Sequence, residues 1–128
     1  MIKEFLAKMA ERDAAKQAGV EFHKLAEKGE LDPGIFAKTP GLSEFFGANA
    51  RAEVPVAGKI NGKFLSRRID RLVVSESEVK FVDFKTGSAD EDHSAQMGEY
   101  KKILADIYPG KNVSGFIYWL KTGELQKC

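Results

Sequence analysis

A chain of 128 residues is long enough for one domain with a buried core, and its 43% hydrophobic and 30% charged residues are an ordinary globular composition. No run is apolar enough for a membrane span and the first residues are charged throughout, so neither a signal peptide nor a transmembrane helix is read and a cytoplasmic setting is expected. Twenty basic residues against nineteen acidic ones lack the basic excess usual in a duplex-wrapping protein, so any nucleic-acid binding is expected to be local or shared with another domain or chain, and the single cysteine, Cys128, excludes a disulfide framework or a thiolate metal centre within one chain.

Residues 3–28 read as helical: they are rich in Ala, Lys and Glu, with Phe5, Met9, Phe22 and Leu25 among the apolar positions. Gly19 weakens the middle and leaves room for a split into two helices. Gly29, Asp32-Pro33-Gly34 and Pro40-Gly41 then punctuate the chain, and a short helix is expected around 42–46. From Glu53 the period changes to two. Residues 52–58 read as a strand, Asn61-Gly62 as a two-residue hairpin loop, 63–74 as the return strand, and 78–85 as a third strand after Ser75-Glu76-Ser77. A polar acidic loop from Ser88 to Asp92 leads to a helix over 93–107, stopped by Pro109-Gly110. The apolar, aromatic stretch 113–120 reads as a strand placed centrally in the sheet, parallel to a neighbour because a helical crossover precedes it. The fold class is therefore α/β with a small mixed sheet, in a single domain over 1–128 with a helical part over 1–48 and the sheet and crossover helix over 52–121.

The chemistry is carried by a spacing. Asp83 and Lys85 are two residues apart in one strand and leave the same face, while Asp70 lies near the end of the preceding antiparallel strand. The hairpin can set Asp70 beside Asp83, so that two carboxylates and an ammonium converge. With no thiolates, a metal must be held by Asp, Glu, His or backbone oxygen, which favours a hard cation such as magnesium or manganese. Carboxylates holding such cations, with a lysine to orient or deprotonate water, are the parts that phosphodiester hydrolysis needs. The Phe84 carbonyl is a further candidate oxygen ligand. An Asp-x-Lys pair on a strand is most often a surface ion pair of little energetic weight. Here Phe81, Val82, Phe84, Ile69, Leu72 and Val73 make both strands look buried, and charges in such strands need a reason.

Taken together, Ala52–Gly58, Arg68-Ile-Asp-Arg-Leu72, Val82-Asp-Phe-Lys-Thr-Gly87, Gln96-x3-Tyr100 and the strand through Trp119 resemble the nuclease domain of the RecB/AddA type, within the PD-(D/E)xK phosphodiesterase superfamily. The resemblance covers roughly residues 35–120 and is greatest to the C-terminal domain of AddA-type helicase-nuclease subunits. It implies a restriction-endonuclease-like fold and an exonuclease-like deoxyribonuclease that uses Mg2+ or Mn2+ in DNA repair and recombination. Asp70 and Asp83 would ligate metal, Lys85 would be the catalytic lysine, and Gln96 and Tyr100, one helical turn apart, would face the active site and the DNA backbone. The expected partners are DNA, chiefly single-stranded, and a helicase motor or second nuclease subunit.

The same resemblance implies a histidine on an early helix that completes the metal site. Gly19-x3-His23 fits that text, although residues 1–30 could instead correspond to an insert, leaving His23 an ordinary helix residue. Glu53 is either a further carboxylate of the site or a structural partner for Arg68 or Lys85. His93, at a position where a tyrosine is usual, either contacts phosphate or caps its helix. Alternation puts Arg68 on the face of Asp70 and both Arg67 and Arg71 on the other. There is no Gly-x4-Gly-Lys-Ser/Thr loop, so this chain alone has no ATP-driven motor. The competing reading is a non-catalytic module that keeps the nuclease fold as a surface for DNA ends or a protein partner.

Overall fold

Two residues with positive φ, Asn61 at 52° and Gly62 at 80°, make the tight turn on which the sheet is built. That pair suits a type I′ loop, whose twist matches the strands it joins. Ile60 pairs with Lys63, and the antiparallel ladder runs back from there between β1 (Ala50–Ile60) and β2 (Lys63–Val74). The structure is a computed structural model that describes residues 2–87 and 92–128. Residues 88–91 of the expected acidic loop lie outside the described residues.

β2 turns at Ser75 into β3 (Glu78–Lys85), with Leu72 opposite Phe81 and Arg71 opposite Val82. Helix α3 (Ser94–Ile107) carries the chain over to β4 (Asn112–Trp119), which lies parallel to β3 along its whole length. The fold is mixed α/β: a sheet in the order β1-β2-β3-β4-β5 with helices on it. Four strands are expected from sequence and five are formed among the described residues. The fifth, β5 (Glu124–Lys127), pairs antiparallel with β4 and caps Trp119, whose indole N–H donates to Gln126 Oε1 at 2.9 Å. Its four residues carry one apolar side chain, too little alternation to mark a strand.

Alternation along β3 sends its side chains into two cores. Val79 and Phe81 join Met97, Tyr100, Ile103 and Leu104 of α3, together with Ile117 and Trp119. Val82 and Phe84 join Ala26, Leu31, Leu42, Phe45 and Tyr118 on the opposite side. That second layer comprises the end of α1 (Ile2–Lys28), the single-turn α2 (Gly34–Lys38) and a 3₁₀ turn at Ser43–Phe46. α2 begins where Asp32-Pro33-Gly34 reads as punctuation; the Asp32 carboxylate accepts from the Gly34 amide at 2.9 Å and starts a turn instead.

α1 is one unbroken helix, not two. Gly19 is kept for packing: a Cβ there would meet Thr86 Cγ2 at 2.6 Å, so the glycine lets the helix touch the end of β3. Residues 2–18 are exposed, including Phe5 and Met9, and only the C-terminal half of α1 rests on the sheet. No helix among the described residues is long and apolar enough to cross a membrane.

The β1–β2 ladder slips its alternation once. Ile69 and Leu72 both enter the α3 core although three residues apart, which an uninterrupted strand would forbid. Between them the ladder passes from Ala52 opposite Arg71 to Val54 opposite Ile69, and Glu53 adopts φ 51°. One consequence overturns an expectation. Arg67 and Arg71 lie on opposite faces: Arg67 donates to Glu99 of α3, at 3.2 Å from Nε and 3.0 Å from Nη2, while Arg71 points at α1.

Candidate metal and phosphodiester site

The slip and the end of the β2–β3 ladder coincide. β2 and β3 are paired only from Arg71 and Val82 onward, so Asp70 sits at a fork where the two strands separate. There its Oδ2 accepts the backbone N–H of Phe84 at 2.8 Å. The residue between Asp83 and Lys85 thus supplies the donor that holds Asp70 against β3. Phe84 is tied to the site through this amide.

Four acidic or imidazole groups gather around that fork. Glu53 comes from the slipped position of β1, opposite Asp70. His23 reaches down from α1, its Nδ1 lying 3.7 Å from Glu53 Oε1 and 3.7 Å from Asp70 Oδ1. His23, Glu53 and Asp70 each bring one ligand atom within 4.8 Å of the others. Asp83, 6% exposed, is not one of these three but lies on β3 beside Asp70, closely enough to affect its titration. One imidazole nitrogen and two carboxylates, with the Asp83 carboxylate next to Asp70, are a donor set for a hard or borderline divalent cation.

The electrostatics agree with such a fit. The Asp70 carboxyl is pushed up from 3.8 to about 8, first by burial and then by the neighbouring Asp83 charge, with the Phe84 amide opposing. Carboxylates this close, without a cation, resist joint ionisation. A divalent ion would relieve that repulsion.

Lys85 lies beside the carboxylates. Its Nζ is 2.9 Å from Asp83 Oδ2, which is buried and accepts no well-directed hydrogen bond among the described residues. The same ammonium donates to Gln96 Oε1 at 2.6 Å, and Gln96 Nε2 donates to the Tyr100 hydroxyl at 3.0 Å. The relay Asp83–Lys85–Gln96–Tyr100 crosses from β3 to one face of α3, as i, i+4 spacing on a helix requires. Tyr100 serves two ends: its ring is core, edge-on to Phe81 at 5.8 Å, and only its hydroxyl belongs to the site. Burial, with the Asp83 and Asp70 charges behind it, pushes that phenol up to about 12, so it stays protonated.

The residues singled out from sequence thus meet: Asp70, Asp83, Lys85, Gln96, Tyr100 and His23 all border one fork. Glu53, left open from sequence, joins them. Counting outward from the Asn61-Gly62 loop sets it opposite Asp70, so the signal was in the register. Arg68 stays exposed with Nη1 4.0 Å from Glu53 Oε2, the face expected for it. His93 begins α3, yet it is Asp92 whose carboxylate accepts the Ser94 amide, at 2.9 Å; the His93 ring lies 5.7 Å from that of Trp119. No family model matches the chain and no curated protein matches it, so the chemistry of the site rests on its geometry.

Proposed function

We propose that this chain is a divalent-metal-dependent DNA nuclease module of restriction-endonuclease-like fold, hydrolysing phosphodiester bonds with an exonuclease-like mode of attack. One observation carries the reading: two carboxylates, Asp70 and Asp83, and the Lys85 ammonium converge at a strand fork, with Glu53 and His23 closing the ligand set. Asp70, Glu53, His23 and Asp83 would hold Mg2+ or Mn2+. A bound divalent ion would supply charge neutralisation at the scissile phosphate and acidify an attacking water.

The chain's own residues do the rest. Lys85, held by Asp83 and Gln96, presents a fixed positive charge where the pentavalent phosphorus gathers negative charge. Gln96 and Tyr100 fix the direction of that ammonium from α3, so its stabilisation needs no reorganisation as the reaction proceeds. The phenol, accepting from Gln96, keeps its proton free to donate to a phosphate oxygen. The substrate is DNA, chiefly single-stranded, delivered by a helicase motor or second nuclease subunit of a break-repair system. The balanced net charge fits a module that receives its strand from a partner.

The test is release of labelled nucleotides from single- and double-stranded DNA in Mg2+, in Mn2+ and in chelator. Metal-dependent degradation that prefers single strands supports the proposal. DNA binding without cleavage in either metal would favour a non-catalytic module.

A further inference from the structure

Arg71 is the residue next to Asp70, and it is 7% exposed. Burying a guanidinium costs several kcal/mol unless something compensates, and an acidic partner is the usual solution. Among the described residues Arg71 makes no ion pair within 4.0 Å. Its Nη2 donates to the carbonyl of Ala26, its guanidinium lies over the Phe46 ring at 4.3 Å, and its Nε has no hydrogen-bond partner. A buried cation spent on a carbonyl near the end of a helix supplies both a cap and a favourable charge for the helix dipole.

That helix is α1, whose residues 2–18 are all exposed. Its rests on the sheet are Gly19 against Thr86, Phe22 against Phe84 and Tyr118, with rings 4.9 and 5.5 Å apart, and Ala26 under Arg71. His23 lies one turn before Ala26 and one turn after Gly19 on this face. We infer that Arg71 is a positioning residue: by holding the Ala26 carbonyl it fixes the end of α1 and so sets the His23 imidazole over Asp70 and Glu53. Consecutive residues of β2 then do paired work, Asp70 as a ligand and Arg71 as the clamp on the helix that brings another. The inference rests on the metal site proposed above only for its consequence, not for its geometry.

The experiment compares Arg71→Met, which keeps bulk over Phe46 without a donor, with His23→Ala and the double variant. Mn2+ binding is read by titration, and the His23 ring resonances by NMR without metal. The expected result is about tenfold weaker Mn2+ binding in Arg71→Met, the scale of lost support around a ligand, and no further loss when it is added to His23→Ala. The His23 ring resonances move while the Trp119 indole resonance stays. Equal losses of affinity in both backgrounds, or unmoved His23 resonances in Arg71→Met, overturn the inference. A wild-type chain that binds no Mn2+ removes the metal reading, and the NMR comparison still decides the clamp. Arg71→Leu, which also lacks a donor, replaces the methionine variant if that one does not fold; moved His23 resonances with weakened Mn2+ binding in it support the clamp, and unmoved resonances with full Mn2+ affinity overturn it.

Discussion

The backbone amide of Phe84 holds the carboxylate of Asp70 at 2.8 Å, so the strand that carries Asp83 and Lys85 also fixes the acid on its neighbour. Asp70 is thereby kept 11% exposed beside Asp83, in a place where its ionisation is costly.

Stability without metal follows from that cost. A carboxyl raised to about 8 in the fold, against 3.8 unfolded, binds its proton more tightly when folded. Its contribution is full below about pH 4 and is lost as pH rises through about 8. In chelator, the denaturant midpoint is expected to fall over that window by a stability of a few kcal/mol at most. Asp70→Asn flattens the fall. Added Mn2+ restores stability at pH 8 far more than at pH 5, since the ion binds the deprotonated cluster.

Lys85→Met separates charge from shape. Asp83 loses the ammonium 2.9 Å away and stays buried, which costs up to about 3 kcal/mol by urea unfolding. Cleavage falls by about 10²–10³-fold, the scale for one lost electrostatic donor, while Mn2+ affinity is retained or rises.

Tyr100→Phe keeps the ring against Phe81 and removes the hydroxyl that accepts from Gln96. The fold loses about 1 kcal/mol by thermal or urea unfolding. Because the phenol is raised to about 12, the wild-type rate shows no titration from this group up to pH 10, and the pH profile of the variant keeps the same shape at a lower rate.

Gly19→Ala tests helix seating. On an open helix the change would gain up to about 1 kcal/mol. Here the new methyl meets Thr86 Cγ2 at 2.6 Å, a short branched side chain with little room to yield. Overpacking of about 1–3 kcal/mol outweighs the propensity gain, so thermal unfolding moves to lower temperature and Mn2+ binding weakens as His23 lifts.

Much of this was legible in the sequence. Asn61-Gly62 fixed the hairpin, the period-two stretches at 63–74 and 78–85 marked two strands and the apolar stretch 113–120 a third, because turn chemistry and burial leave strong local marks. The Asp83–Lys85 spacing gave a shared face directly. What escaped depends on distant parts of the chain. Gly19 looks like a helix breaker until Thr86 is beside it. The faces of Arg67 and Arg71 cannot be assigned by alternation across a slip whose only local sign is the backbone of Glu53. β5 draws its strand character from β4 and the Trp119 indole, not from its own residues.

The central claim is tested most directly by reading bound Mn2+ and single-stranded DNA cleavage on the same samples of wild type, Asp70→Asn and Lys85→Met. The account predicts that wild type binds and cuts, Asp70→Asn loses both, and Lys85→Met binds without cutting. A Lys85→Met chain that cuts at the wild-type rate, or a wild type that neither binds Mn2+ nor cuts, contradicts it.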